Sequence, residues 1–141
     1  MTRARSITAV LAAFYLLVAL AALVLAPRSL ARAYGENMVA GFGVDAILTV
    51  VHAAIGVAAL LVTLLAVPVA RRVFGMAVAV VALGLFAYGI PAAVDPNPDV
   101  AFNIGWGNVV IYALTIPAGL YVAFNQTARD ARPVSTGDTE R

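Results

Sequence analysis

Long apolar runs alternate with short polar interruptions along this chain. Four runs stand out: Ile7 to Ala26, Val44 to Val67, Val73 to Ile90, and about Phe102 to Phe124. Prolines at 27, 68 and 91 close the first three. A helix rises 1.5 Å per residue, so about 20 apolar residues cross the roughly 30 Å hydrocarbon core of a bilayer. The pattern predicts an all-α fold: a four-transmembrane-helix bundle over residues 1–124, with helices at about 7–26, 44–67, 73–90 and 102–124. Asp45 is the one charge inside the runs. The first run follows "MTRARS", the flank of a signal peptide, but exceeds the usual apolar core of about 7–15 residues. Its Val24-x-Ala26 end is followed by Pro27, which disfavours cleavage, so it reads as a retained helix.

The connections carry weaker signals. "PVARR" is a short turn that should fold helices two and three into an antiparallel hairpin. "RSLARAYGENM" could lie as a short interfacial helix, and "PAAVDPNPDV" reads as a stiff, extended turn. Residues 125–141 are polar and expected to be disordered. The Asn125-Gln126-Thr127 triplet matches a glycosylation sequon, by chance if this tail is cytoplasmic. Ala9/Ala13, Ala22/Ala26 and Ala54/Ala58 have the spacing that lets helices approach. Pro117, inside the fourth run, should kink it.

Composition agrees with the pattern. The chain is 63% hydrophobic and 11% charged, whereas soluble domains carry roughly 25% charged residues. All nine basic residues are arginines, and the net charge is only +2. No basic patch interleaves with aromatics, so nucleic-acid binding is not indicated. Arg3, Arg5, Arg71, Arg72, Arg129, Arg132 and Arg141 fall on one side of the expected topology. Arg28 and Arg32 fall on the other, with Glu36, Asp45, Asp95 and Asp99. The positive-inside rule then puts both termini in the cytoplasm, in a multi-pass plasma-membrane topology. Tyr34, Phe42, Phe102 and Trp106 would form an outer aromatic belt, and Phe74, Tyr121 and Phe124 an inner one. The absence of cysteine excludes disulfides, thiolate metal sites, cysteine nucleophiles and c-type haem attachment.

Two polar stripes break the apolar helices. Asp45, Thr49, His52 and Gly56 are spaced four, three and four, and so share one helix face. Thr63 continues it. Lipid cannot solvate such a stripe, so it should face the bundle interior. His52 lies about 12 Å below the helix start, near the midplane, with Asp45 at the interface. Asn108, Tyr112, Thr115 and Gly119 repeat the spacing on the fourth helix, with Tyr112 about as deep as His52. Facing stripes would allow a His52–Tyr112 or His52–Asn108 hydrogen bond. Helices one–two and three–four then read as two repeated helical hairpins, aligned by matching His52 to Tyr112.

"VDAILTVVHAAIG" resembles the motif of a family of small four-helix integral membrane proteins, common in actinobacteria and known as a domain of unknown function. Its members carry an Asn- or Asp-led segment, a leucine-rich turn, then His with glycine four residues on. "NIGWGNVVIYALTIPAG" is similar to the motif's second occurrence, often Asn-x-x-x-His; Asn108 is kept here, but Tyr112 stands where the histidine would be. The resemblance spans about residues 7 to 124. It implies the four-helix fold and no reaction, and the tyrosine removes any site that needs two histidines.

His52 can be read as a proton relay, a haem ligand or a packing histidine bonded to Tyr112, Asn108 or Thr49. A b-type haem within one bundle needs a second axial ligand, and no second histidine exists; haem is disfavoured, and no cofactor or metal is expected. Asp45 can be a mouth for protons or ions, or a helix cap meeting unpaired N–H groups and the positive dipole end. The cap is favoured, since Asp45 follows a glycine-rich turn and lies in the first helical turn; the seven helical residues to His52, about 10 Å, are too far for a direct bond between the two. No phosphate loop, nucleophile set or carboxylate pair is present. The expectation is a non-enzymatic integral membrane protein, a scaffold or an accessory subunit of a larger membrane complex. Its partners would be the lipid bilayer and a homo-oligomer or larger assembly. The alternative is a proton- or small-solute-conducting or redox-associated (haem) bundle using Asp45 and His52.

Overall fold

The computed structural model describes residues 3–26, 30, 37–65, 67–95 and 102–125. Its elements are α1 (Arg3–Leu25), β1 (Met38–Val39), β2 (Phe42–Gly43), α2 (Ala46–Leu65), α3 (Pro68–Val94) and α4 (Trp106–Phe124). All four helices are long and apolar enough to cross a membrane, which makes this a multi-pass membrane protein. Residues 28, 29 and 31–36 of the expected interfacial helix at 28–38, residues 96–101 and the tail at 126–141 lie outside the described residues. So do Arg28, Arg32, Tyr34, Glu36, Asp99, Arg129, Arg132, Arg141 and the last two sequon positions.

The helix bounds move where proline or a polar cap governs them. Pro68 opens α3 instead of closing α2. At the first helical position its missing N–H would have had no partner in any case. "PVARR" is therefore no turn: Arg71 and Arg72 are helical, and the Arg71 amide already donates to Val67 O at 3.2 Å. Pro91 does not stop α3 either. The helix runs on to Val94, and Asp95 N donates to Pro91 O at 3.0 Å. α4 starts at Trp106, four residues later than the apolar run, because Gly105 precedes it in an extended conformation (φ −96°, ψ 172°).

The first long connection contains a small β-hairpin that the apolar pattern did not signal. Met38 pairs with Gly43 and Val39 with Phe42. Its turn is Ala40-Gly41, with φ of +50° and +84°. Positive φ at both central residues gives the tight turn that matches strand twist.

The chain runs up and down. Thr8 near the start of α1 bonds Thr63 near the end of α2, so these helices are antiparallel. Gly75 near the start of α3 abuts Ala123 near the end of α4, which makes the second pair antiparallel too. One end of the bundle thus holds Arg3, Arg5, Arg71 and Arg72, and is called here the arginine end. The other holds the starts of α2 and α4.

Among the apolar residues, many small ones lie inside and many large ones outside. Ala12, Ala19, Ala22, Ala59, Ala79, Ala82 and Ala123 are buried, while Leu17, Leu23, Leu64, Val80 and Leu83 are exposed. Lipid tails are as apolar as leucine, so helices gain by close backbone approach instead of by hiding large side chains. Close backbone approaches fall at glycines. A Cβ on Gly56 would stand 2.9 Å from Leu16 N, and one on Gly75 2.6 Å from Gly119 O. Phe74 also departs from expectation, being buried in the core beside Val62 and Val78 instead of belted at the interface. Pro117 sits within α4 on an exposed position.

Candidate functional site

The site begins where α2 and α4 start. α2 opens at Ala46, so Asp45 is its N-cap, and Oδ1 accepts the Leu48 amide at 2.7 Å. This is the first-turn donor that a capping carboxylate satisfies. Its second oxygen leaves the helix: Asn103 N donates to Oδ2 at 2.7 Å. Asn103 in turn donates its Nδ2 to Asn37 O at 2.8 Å and to Val44 O at 3.3 Å.

Asn108 performs the reciprocal task. Its Oδ1 accepts Gly43 N at 2.7 Å, from the segment ahead of α2. The same oxygen accepts Gly105 N at 3.0 Å, from the residue ahead of its own helix. Its Nδ2 donates to Gly43 O at 3.3 Å. Each helix start is therefore held partly by a side chain belonging to the other. Asn108 bonds the two helix starts here and not His52.

Deeper in, the two stripes meet. His52 Nε2 lies 2.9 Å from Tyr112 OH; which atom donates depends on the imidazole tautomer. His52 is seven residues beyond Asp45, and Tyr112 seven beyond Gly105, so equal depth follows from the two caps. Thr49 turns back onto its own helix, donating to Asp45 O at 2.6 Å. Thr115 donates to Ile111 O at 2.8 Å, and its hydroxyl lies 2.8 Å from Tyr15 OH. Asp45, Thr49, His52, Asn108, Tyr112 and Thr115 are all buried, and the His52–Tyr112 contact joins the α2 stripe to the α4 stripe side chain to side chain.

Sequence reasoning missed the contribution of α1. Tyr15 is completely buried, and its ring centroid is 5.4 Å from that of His52. Thr8, one heptad earlier, is also fully buried, with its hydroxyl 2.8 Å from that of Thr63. A signal existed: seven residues bring two hydroxyl side chains to one face of an otherwise apolar helix. Asn37 and Asn103 carried none, because they fall on neither polar stripe. Asn37 is fully buried, and its amide Nδ2 and Oδ1 have no hydrogen-bond partner among the described residues.

The seam can clamp three helices and cap two. The His52 nitrogen facing Tyr112 would have to leave that hydroxyl before it took a metal. Each oxygen of the Asp45 carboxylate is occupied by a backbone N–H. Fold and site together define a membrane-spanning four-helix bundle with a hydrogen-bonded polar seam. Compared with known families, curated proteins and solved structures, the chain matches none.

Proposed function

We propose that this protein is a small non-enzymatic integral membrane protein that serves as a scaffold or as an accessory subunit of a larger membrane complex. The observation that carries this reading is the use made of the seam. Asp45, His52, Tyr112, Tyr15 and Thr115 bond one another or the backbone at 2.7–2.9 Å. In a bilayer such bonds serve as glue between helices. The proposal includes the cytoplasmic placement of both termini in the plasma membrane, supported by the arginine distribution. It also includes descent of α1–α2 and α3–α4 from one repeated hairpin, supported by the matched stripe spacing and the matched depth of His52 and Tyr112. Membership of the actinobacterial family the chain resembles belongs to the same proposal.

The test is purification of the tagged full-length chain in a mild detergent. A stoichiometric partner, or a homo-oligomer of defined size, is expected. A chain that always emerges as a lone monomer would sink the accessory role. Reconstituted liposomes decide against the alternative: proton flux should equal that of empty vesicles. A flux that His52→Ala removes without lowering thermal stability would replace the scaffold reading with a conducting one. The cysteine-free sequence makes topology directly measurable. Cysteine at position 40, but not at position 2, should react with an impermeant maleimide added outside cells.

A further inference from the structure

α1 and α4 meet at the Tyr15–Thr115 bond, and an apolar groove of about 330 Å³ lies open between them on the side of the arginine end. Val10 and Leu114, 66% and 62% exposed, form its walls, and Ile7 and Ala118 line it between them. It runs along α1 from Ser6 to Phe14. Eight residues of helix span about 12 Å, most of the roughly 15 Å that one leaflet contributes to the hydrocarbon core. In a bilayer, an extended acyl chain is the apolar body at hand to lie along such a length.

The groove's open end has a fixed chemical character. Arg3 precedes Ser6 and Ile7 by three and four residues, so it stands on the groove face one turn further out. Tyr121 follows Ala118 by three and Leu114 by seven, which puts it on the corresponding face of α4. Arg3 is exposed, and Tyr121 is 37% exposed. A guanidinium and a phenol at headgroup level suit a phosphate, as charge-assisted and neutral donors respectively. Among the described residues the acids are Asp45 and Asp95, both at the opposite end of the bundle. Among the described residues, no acid at the arginine end opposes an anion.

We propose that this groove seats one acyl chain of an anionic phospholipid, with Arg3 and Tyr121 holding its phosphate in the leaflet at the arginine end. The site is independent of the scaffold reading and of which leaflet is cytoplasmic. It adds a lipid specificity that four apolar helices alone do not require.

Native mass spectrometry of the full chain in detergent tests it, with phosphatidylglycerol and phosphatidylcholine of identical acyl chains as probes. Phosphatidylglycerol should be retained at least fivefold more than phosphatidylcholine, at one molecule per chain. The double variant Arg3→Gln/Tyr121→Phe should bring the two lipids to parity. Leu114→Trp and Ala118→Phe, which fill the groove from its wall and its lining, should each abolish retention of both. Val80→Trp on the lipid-facing side of α3 should change nothing, and thermal melts of all variants establish that they fold. Leu114 is largely exposed, so its variant remains informative if Ala118→Phe is unstable. Equal retention of the two lipids by the wild type overturns the proposal. So does undiminished phosphatidylglycerol binding in folded Leu114→Trp. A lipid-free dimer that Leu114→Trp dissociates would assign the groove to a second copy of the chain instead.

Discussion

At the residue scale, Asp45 and His52 do different work despite sharing a helix face. Asp45 presents two acceptor oxygens to two backbone donors, Leu48 N and Asn103 N. Asparagine in its place would offer one acceptor and one NH₂ group, setting a donor against a donor. Asp45→Asn should therefore destabilise the bundle by about 1–3 kcal/mol, the cost of a buried donor left unpaired, read as a lower melting temperature in detergent. His52 and Tyr112 form a pair that a double-mutant cycle can isolate. Hydrogen bonds between transmembrane helices average about 0.6 kcal/mol and reach about 1.7, and the His52→Ala/Tyr112→Phe coupling energy should fall in that range. A coupling near zero would mean the 2.9 Å contact contributes nothing to holding the helices.

At the element scale, the helices are placed by what they lack. Leu16 backbone occupies the space where a Gly56 side chain would go, and Gly75 and Gly119 exclude side chains from each other's carbonyls. Gly56→Val should force α1 from α2 and lower the melting temperature. Gly84 is the contrast: a Cβ there meets nothing within 4 Å, and it lies inside α3. Gly84→Ala should leave packing alone and stabilise by up to about 1 kcal/mol through helix propensity. If both substitutions had the same sign, close backbone approach would not be what sets the α1–α2 distance. The existence of four helices was plain from their apolar runs. Their ends were less so, because proline was read as a stop. At position 68 it initiates a helix, and at position 91 it sits in a last turn that its missing N–H does not break.

At the scale of the whole molecule, the starts of α2 and α4 are tied by an exchange of side chains across more than fifty residues of sequence. Asn108 alone serves Gly43 N and Gly105 N, two donors from separate segments. Asn108→Ala should expose both at once, costing about 2 kcal/mol or more at about 1–3 per orphaned donor. Amide exchange should accelerate at Gly43 and Gly105 while α1 stays protected. Uniform loss of protection across all four helices would show that the tie is not local. Thr63 and Thr8 close the opposite end of α2 against α1.

What the sequence by itself determined is the set of features governed by local periodicity and by the solvent. Apolar length gives four spans. Four-three-four spacing gives two interior stripes, and the caps place His52 and Tyr112 at one depth. These follow because lipid forces every unsatisfied polar group inward and because a helix fixes which residues share a face. Only the tertiary structure decided which group meets which. It turned Asn108 away from His52 toward a distant glycine, brought Tyr15 from a third helix to Thr115, and raised a hairpin at Met38–Gly43. Hydrogen-bond partners on different helices are chosen by backbone approach, and that is set by the glycine and alanine contacts summed over the whole bundle. Periodicity within one helix carries no record of that sum.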